Sequence, residues 1–376
     1  MGDKDDLEYA KVSVPDLEYA KVSVLDEAEA LKGGVVQQSP RAMRNSTRER
    51  ILHPDEELDH EAEAFDPCVF SLLMANVVQD FTRFSLGTEK KFVRVARLSI
   101  SLVMVTALIV IQAFLLISVN KLLCASAVSN IRELYSNYEV QMYHNHTVTI
   151  FTGKERGIPG YFDATQFYTA FNDEERSTLC QIPLAHLKYI SCILMVWTLT
   201  CCIELRQVVA QTVRVLFVTP TIASMSLALA STDTPHDVEV VGLTLTVKAV
   251  IGLFVLLPRY ISTIVLVWLG CRWLTATPNL GDVLLNGLAL EFILMLKKLL
   301  FESFASKRSL LVVERTRFQP ADKFETATYC SFFGSFAWVM LAMTFVWAYV
   351  CHLQQVLPAY KWDVHAVCES MGKRTT

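Results

Sequence analysis

Apolar and polar positions sort along this chain into two regimes. After residue 97, long apolar runs alternate with short polar stretches; before it the pattern is mostly polar and acidic. The clearest run, Leu98–Val119, has 22 residues without a charged side chain. As a helix it is about 33 Å long, enough for the hydrocarbon of a bilayer. Lys90, Lys91, Arg94 and Arg97 crowd its amino-terminal side, and the positive-inside rule places that side in the cytoplasm. Further membrane segments are predicted over Pro183–Ile203, where His186 and Lys188 weaken the start, over Thr246–Cys271, interrupted by Pro258-Arg259, and over Tyr329–Val350, rich in Phe and Trp.

Gly281–Phe301 reads GDVLLNGLALEFILMLKKLLF and is apolar but punctuated. On a helical wheel Asp282, Asn286 and Lys297 fall on one side, and Glu291, Lys298 and Glu302 on the other. A surface helix keeps its polar residues together, so this segment is expected to be a fifth membrane helix, or a re-entrant one buried among the others. As a crossing it puts Lys297, Lys298, Lys307, Arg308, Arg315, Arg317 and Lys323 in a cytoplasmic loop. It also leaves Cys124, Cys180, Cys351 and Cys368 on the outer side, an even set. Proximity favours the disulfides Cys124–Cys180 and Cys351–Cys368, although four cysteines allow three connectivities. Cys192, Cys201, Cys202, Cys271 and Cys330 fall in or near spans as small hydrophobes, and Cys68 is cytoplasmic. Glu204–Leu245 fits this scheme less well, since as a cytoplasmic loop it holds only Arg206 and Arg214 against four acids.

The outward loop Asn120–Lys188 is long enough to fold by itself. Asn145-His146-Thr147 is a glycosylation sequon on the permissive side, whereas Asn45-Ser46-Thr47 on the cytoplasmic side is expected to be silent. Tyr135, Tyr138, Tyr143, Phe151, Tyr161, Phe162, Phe167, Tyr168 and Phe171 lie in this loop. With a disulfide at its base, it reads as a small cap over residues 120–188 whose aromatics pack a core or face a ligand.

The amino-terminal quarter differs in kind. Residues 1–97 hold 13 Lys/Arg and 19 Asp/Glu, of 34 and 38 in the chain. Asp6–Val14 recurs as Asp16–Val24; two copies are too few for a solenoid. A duplicated piece of disordered tail explains the repeat, and so does a docking peptide for cytoplasmic partners, with Tyr9 and Tyr19 in matching acidic settings. Residues 1–66 are too acidic and aromatic-poor to bury a core. MGDKDDLEYA lacks the basic start and apolar run of a signal peptide, and Asp6 stands where myristoylation wants Ser or Thr. The first apolar segment is therefore expected to serve as the insertion signal. Within residues 67–97, Phe70, Leu73, Met74, Val77, Phe81 and Phe84 form one helical stripe, with Asn76, Gln79 and Arg83 opposite, which predicts an interfacial amphipathic helix. A buried packing face accounts for the same stripe.

Composition agrees with the pattern: 52% of residues are hydrophobic and 19% charged, and the formal net charge is −4. Nucleic-acid binding is excluded, because it needs a basic excess. No phosphate loop, HExxH, GxSxG or paired CxxC is present, so neither an enzyme nor a cofactor is expected. His144 and His146 have chelating spacing for a strand but no third ligand nearby, and no metal is expected.

Chemistry is left to ionisable groups at membrane depth, which normally face protein or water and find a partner. These are Lys248, Arg259, Asp282 and Glu291, with Asn286 as a polar neighbour. A hairpin turning at Thr277-Pro278 brings Arg259 and Glu291 to within about 6 Å in depth, so the two are expected either to pair or to be satisfied separately. Lys248 is expected to snorkel to the cytoplasmic interface, and Pro258 to kink its span.

Pro258-Arg259, Gly270-Cys-Arg-Trp-Leu-Thr-Ala-Thr277 and Leu285-Asn-Gly-Leu-Ala-Leu-Glu-Phe-Ile293 resemble a pattern in uncharacterised multi-span membrane proteins of dinoflagellate algae. That resemblance implies only that Asn286 and Glu291 belong to a recurring core hairpin; it brings no activity.

The expected fold is all-α: a polytopic helical membrane domain over 98–350 with about five segments, an extracellular or lumenal cap, and an outward tail over 351–376. The protein belongs in the plasma membrane or an endomembrane, in contact with the lipid bilayer, with its amino terminus cytoplasmic. One functional expectation is a channel or transporter subunit whose polar path is lined by Arg259, Asn286 and Glu291. The other is a non-transporting receptor-like or scaffold protein that binds through its cap and tail.

Overall fold

The structure, a computed structural model, describes residues 58–59, 63–87, 91–231, 238–318, 324–325 and 329–375. The ten-residue repeat, the Asn45 sequon and Lys323 lie outside them. The described chain is mostly helical, and four helices are long and apolar enough to cross a membrane: Lys91–Met142, Leu187–Val218, Leu245–Ala276 and Phe333–Leu353.

Strand β1 (Glu63–Ala64) leads into helix α1 (Val69–Ser85). An interfacial helix keeps a wet polar side, but α1 is buried all round from Val69 to Asp80. The correction has a physical cause, because its polar side finds protein partners. Gln79 Nε2 donates to Thr316 Oγ1 at 2.9 Å, and Arg97 grips both carboxylate oxygens of Asp80.

Helix α2 (Lys91–Ser118) passes through a π-helical segment, Val119–Cys124, into α3 (Ala125–Met142). Together they make one helix of 52 residues. That is about 78 Å long at 1.5 Å per residue, more than twice the ~30 Å hydrocarbon thickness. Because α3 carries Arg132, Glu133 and Glu139, the apolar part of this helix is α2. A hairpin of β2 (Thr147–Thr149) and β3 (Glu155–Gly157) follows, then α4 (Asp173–Cys180), whose start is closed by a reciprocal Asn172–Glu175 capping box.

Helix α5 (Leu187–Thr212) continues through π-helical Val213–Val218, so it runs well past Ile203, where its apolar run stops. Strands β4 (Leu229–Ser231) and β5 (Val238–Val240) precede α6 (Leu245–Ile251). A π-helical segment, Gly252–Leu256, joins α6 to α7 (Leu257–Ala276). Pro258 lacks an N–H and cannot bond the turn before it; the widened turn just ahead of it takes up the mismatch.

Helix α8 (Leu280–Phe304) starts at Asn279, whose side chain accepts from Gly281 N at 3.0 Å. Helix α9 (Lys307–Arg315), strand β6 (Thr316–Phe318), helix α10 (Tyr329–Ala348), π-helical Tyr349–Leu353 and helix α11 (Asp363–Thr375) complete the order. Four strands form a sheet in the order β1-β6-β5-β4, with β6 and β5 parallel and the other pairs antiparallel. These strands depart from the all-α expectation. Val238-Glu-Val240 and Thr316-Arg-Phe318 have the two-residue period of a half-buried strand, but are too short to stand out beside the helices.

Helix α8 is not among the four apolar helices, because Asp282, Glu291, Lys297 and Lys298 interrupt it. It nevertheless runs beside them over their length. Tyr189 donates to the Leu280 carbonyl at 2.9 Å, Gln112 to the Ile293 carbonyl at 3.2 Å, and Lys297 meets Glu204. Polar side chains inside the apolar helices are mostly hydroxyls that bond their own backbone one turn back, as Thr106, Thr200, Thr263 and Thr275 do. Outer faces carry exposed apolar side chains such as Val103, Phe114, Val196 and Leu288, the inverse of a water-soluble surface.

Helices α5 and α7 approach closely where Gly270 faces the Trp197 ring, and a Cβ at Gly270 would overlap the indole. Gly270→Ala is therefore expected to cost about 1–3 kcal/mol through overpacking, read as a lower melting temperature in detergent.

Candidate functional site: a buried ion cluster and a stapled cap

Two cations share one carboxylate inside the helical bundle. Glu204 on α5 receives Arg259 Nη2 from α7 at 2.6 Å on one oxygen and Lys297 Nζ from α8 on the other. Arg259 is 2% exposed and Lys297 5%, so the guanidinium and ammonium are both desolvated. Arg259 Nη1 also donates to the Gln211 side chain, and its guanidinium lies 5.3 Å from the Phe70 ring of α1, a favourable cation–π distance. Arg259 Nε has no hydrogen-bond partner among the described residues. With two positive charges against one negative, the cluster carries a formal excess of one positive charge, which the Gln211 oxygen and the Phe70 face help to offset.

Of the two expectations for Arg259 and Glu291, the pair is not formed and each is accommodated separately. Glu291 lies on the exposed face of α8, among Leu288, Phe292 and Met295, whereas Lys297, six residues later, faces inward. Asn286 does not face Arg259 either; its Nδ2 donates to Thr277 Oγ1 at 2.9 Å and ties α8 back to α7 across their turn. Asp282 is exposed in the first turn of α8, where a carboxylate suits the helix dipole. Lys248 does not snorkel. It is buried, and its Nζ donates to the carbonyls of Thr219 at 2.6 Å and Leu216 at 3.2 Å, closing the end of the α5 helix. Glu204 is the residue that sequence reasoning missed: it directly follows an apolar run and was assigned to a loop. Two cations at one depth, with Glu291 turned away by the helical period, were the available signal.

The second cluster builds the cap, and here the carboxy-terminal tail proves to be part of it. Arg132 on α3 donates to the carbonyls of Val356 at 2.8 Å and Gln355 at 2.6 Å. Arg156 on β3 donates to Pro358 O at 3.1 Å, lies 3.3 Å from the fully buried Glu139 carboxylate and covers the Tyr135 ring at 4.7 Å. Lys361 lies 3.9 Å from Glu139 and bonds the Gly157 carbonyl. Asp363 accepts from the hydroxyls of Tyr135 at 3.0 Å and Tyr143 at 3.2 Å, and burial raises its pKa above the ordinary carboxylate range.

A Cys180–Cys368 disulfide, with Cα atoms 5.5 Å apart, joins α4 to α11. The expected pairs Cys124–Cys180 and Cys351–Cys368 are thereby corrected: Cys124 is a buried free thiol on the long helix and Cys351 an exposed one. Proximity in sequence misleads because the tail folds back over the loop. Tyr135, Tyr138, Tyr143 and Phe167 are core residues of the cap, while Phe151 is 90% exposed. His144 contacts Asp163 at 3.3 Å and His146 stacks on Tyr161. Asn145, exposed between them, adopts a left-handed φ of 62°, which Asn tolerates well.

No family model, curated protein or solved structure matches the chain.

Removing the shared anion strands two buried cations, so Glu204→Ala is expected to lose about 3–5 kcal/mol. The double change Glu204→Gln with Lys297→Met, which removes one cation as well, is expected to recover part of that in the same thermal unfolding measurement. Asp363 gives a pH dependence of defined sign. Its folded pKa lies above the unfolded one, so its stabilisation is complete below about pH 4 and is lost as pH rises through the raised value. Hydrogen exchange over residues 128–143, corrected for intrinsic rates, is expected to speed up as pH rises from 4, and Asp363→Asn to reduce that trend to the part set by Glu139, whose pKa burial raises to about 7.

Proposed function

We propose that the chain is a five-span integral membrane protein that holds a rigid cap on the extracellular or lumenal side and acts as a non-transporting receptor-like or scaffold protein. The amino terminus, β1 and the β6-β5-β4 sheet then face the cytoplasm. The observation that carries the crossing count is the bond between Cys180 and Cys368. Cys180 precedes α5 and Cys368 follows α10, so the intervening chain crosses the bilayer an even number of times. Three of the four apolar helices lie between these cysteines, and α8 supplies the fourth crossing. The bond also suits an oxidising compartment for the cap.

A sealed bundle favours the non-transporting reading. Of the three residues expected to line a polar path, Arg259 is held by Glu204 and Gln211, Asn286 bonds the α7–α8 turn, and Glu291 faces away from the interior. Between that cluster and the cap the interior is filled by Leu108, Leu194, Trp197, Leu266, Leu290 and Ile293, all buried. The cap offers a surface for recognition instead: Phe151 and Val148 project from the β2–β3 hairpin beside Asn145, a glycan acceptor on this orientation. The two tyrosine-containing repeats supply the inner docking peptides.

Reconstituted in liposomes, the full chain is expected to pass K+, Cl− and protons no faster than empty vesicles. Saturable flux that disappears in a folded Glu204→Gln variant would overturn the reading. Expressed in cells, the wild type is expected to show a glycosidase-sensitive mass shift that Asn145→Gln abolishes.

A further inference from the structure

At the end of the bundle opposite the cap, α1, the start of α2, the end of α8 and α9 enclose a cavity of about 830 Å³. Arg83, Arg94, Arg97 and Arg308 line it. Asp80, held by Arg97, is a carboxylate beside them. Among the described residues Asp80 pairs with Arg97, while Arg94 and Arg308 bring two more guanidiniums to the wall of a cavity in a chain whose net charge is −4. Their crowding is felt by Arg83, whose pKa is lowered by burial and by the positive charge of Arg97, Arg94 and Arg308, with Asp80 acting the other way.

Two atoms in the wall are buried and lack a hydrogen-bond partner among the described residues: Arg94 Nη1, a donor, and Asn76 Oδ1, an acceptor on a side chain 1% exposed. Such groups are costly unless something bonds them. Ser306, Arg308 and Ser309 bring the amino-terminal turn of the nine-residue helix α9 to the cavity, and its dipole adds further positive potential. Apart from Ser101, whose hydroxyl donates to the Leu98 carbonyl at 2.9 Å, the remaining wall is apolar. Leu72, Ile100, Met104 and Phe304 line it, and Ile100 and Phe304 continue onto the outer surface of the helices, 62% and 72% exposed.

We propose that this cavity binds the phosphorylated, hydroxyl-bearing head group of an anionic phospholipid. Arg94 and Arg308 hold the phosphate, a head-group hydroxyl donates to Asn76 Oδ1, and an acyl chain lies along Ile100, Met104 and Phe304. Guanidinium forks match phosphate oxygens in geometry as well as charge. Basic pockets between helices at the inner membrane face suit such head groups. A soluble phosphate would use the arginines but leave the apolar wall idle, which is why the lipid is the favoured source. The proposal rests on the membrane-spanning reading of α2 and α8.

The test uses the full chain in a nonionic detergent, with dioctanoyl phosphatidylinositol 4-phosphate, free inositol 1,4-bisphosphate and dioctanoyl phosphatidylcholine as probes. Affinity is read by thermophoresis and supported by the shift in melting temperature. The phosphoinositide is expected to bind at least tenfold more tightly than either of the others. Arg94→Gln with Arg308→Gln is expected to weaken it at least tenfold, and Asn76→Leu by a few fold, with the melting temperature of the ligand-free protein unchanged. If the double variant does not fold, the exposed Arg308→Gln alone is expected to weaken binding about threefold. Equal binding of the free bisphosphate overturns the lipid as source. Equal binding of phosphatidylcholine, or undiminished binding by the folded variants, overturns the site. Carbonate extraction of the membranes separates the two readings: a chain released by carbonate defeats the spanning arrangement, whereas a retained chain without discrimination defeats only the site.

Discussion

One carboxylate shared by two cations sets the register of the bundle. In a medium of low polarity an unmatched charge is costly, so α5, α7 and α8 can slide along one another only by breaking Glu204 away from Arg259 or Lys297. Their relative heights are thereby fixed, and the other long-range contacts follow from that register. Gly270 then meets Trp197, Asn286 reaches Thr277, and Tyr189 reaches the Leu280 carbonyl. The same guanidinium faces Phe70 on its other side, so the cluster also helps to seat α1, whose Gln79 and Asp80 are held separately by Thr316 and Arg97.

Much of this was legible in the apolar runs. Four helices match predicted segments because a predominantly apolar stretch near twenty residues has few alternatives. Helix α8 was recognised as more than a surface helix because its polar residues occupy two faces, and both faces are now accounted for: Lys297 inward on Glu204, Glu291 outward. Which of two carboxylates would meet Arg259 was not legible. Depth along a hairpin makes Glu291 a fair partner, but direction around the helix decides, and direction depends on packing against α2 and α5. The same holds for α1, where an amphipathic stripe is equally consistent with lying on lipid and with being enclosed. Short strands and the cysteine pairing escaped for a related reason, since both depend on segments far apart in sequence.

The cap is composite. Its long helix rises directly from α2 without a hinge, and its second half arrives from the other end of the chain, held by Arg132, Arg156, Lys361 and Asp363. Helices α2 and α3 form one continuous rod through π-helical Val119–Cys124, with Arg97 and its partner Asp80 near the far end. The hairpin tip and the arginine-lined cavity lie at opposite ends of that rod.

In the proposed five-span arrangement, the bond between Cys180 and Cys368 closes a ring of chain that contains every span after the first. Cys180 emerges during synthesis long before its partner, and the partner reaches the same compartment only once α10 has been threaded. Oxidation of this pair thus certifies completed insertion. Molecules stalled with α8 or α10 on the wrong side lack this bond, and with it the covalent tie between α4 and α11 that closes the cap.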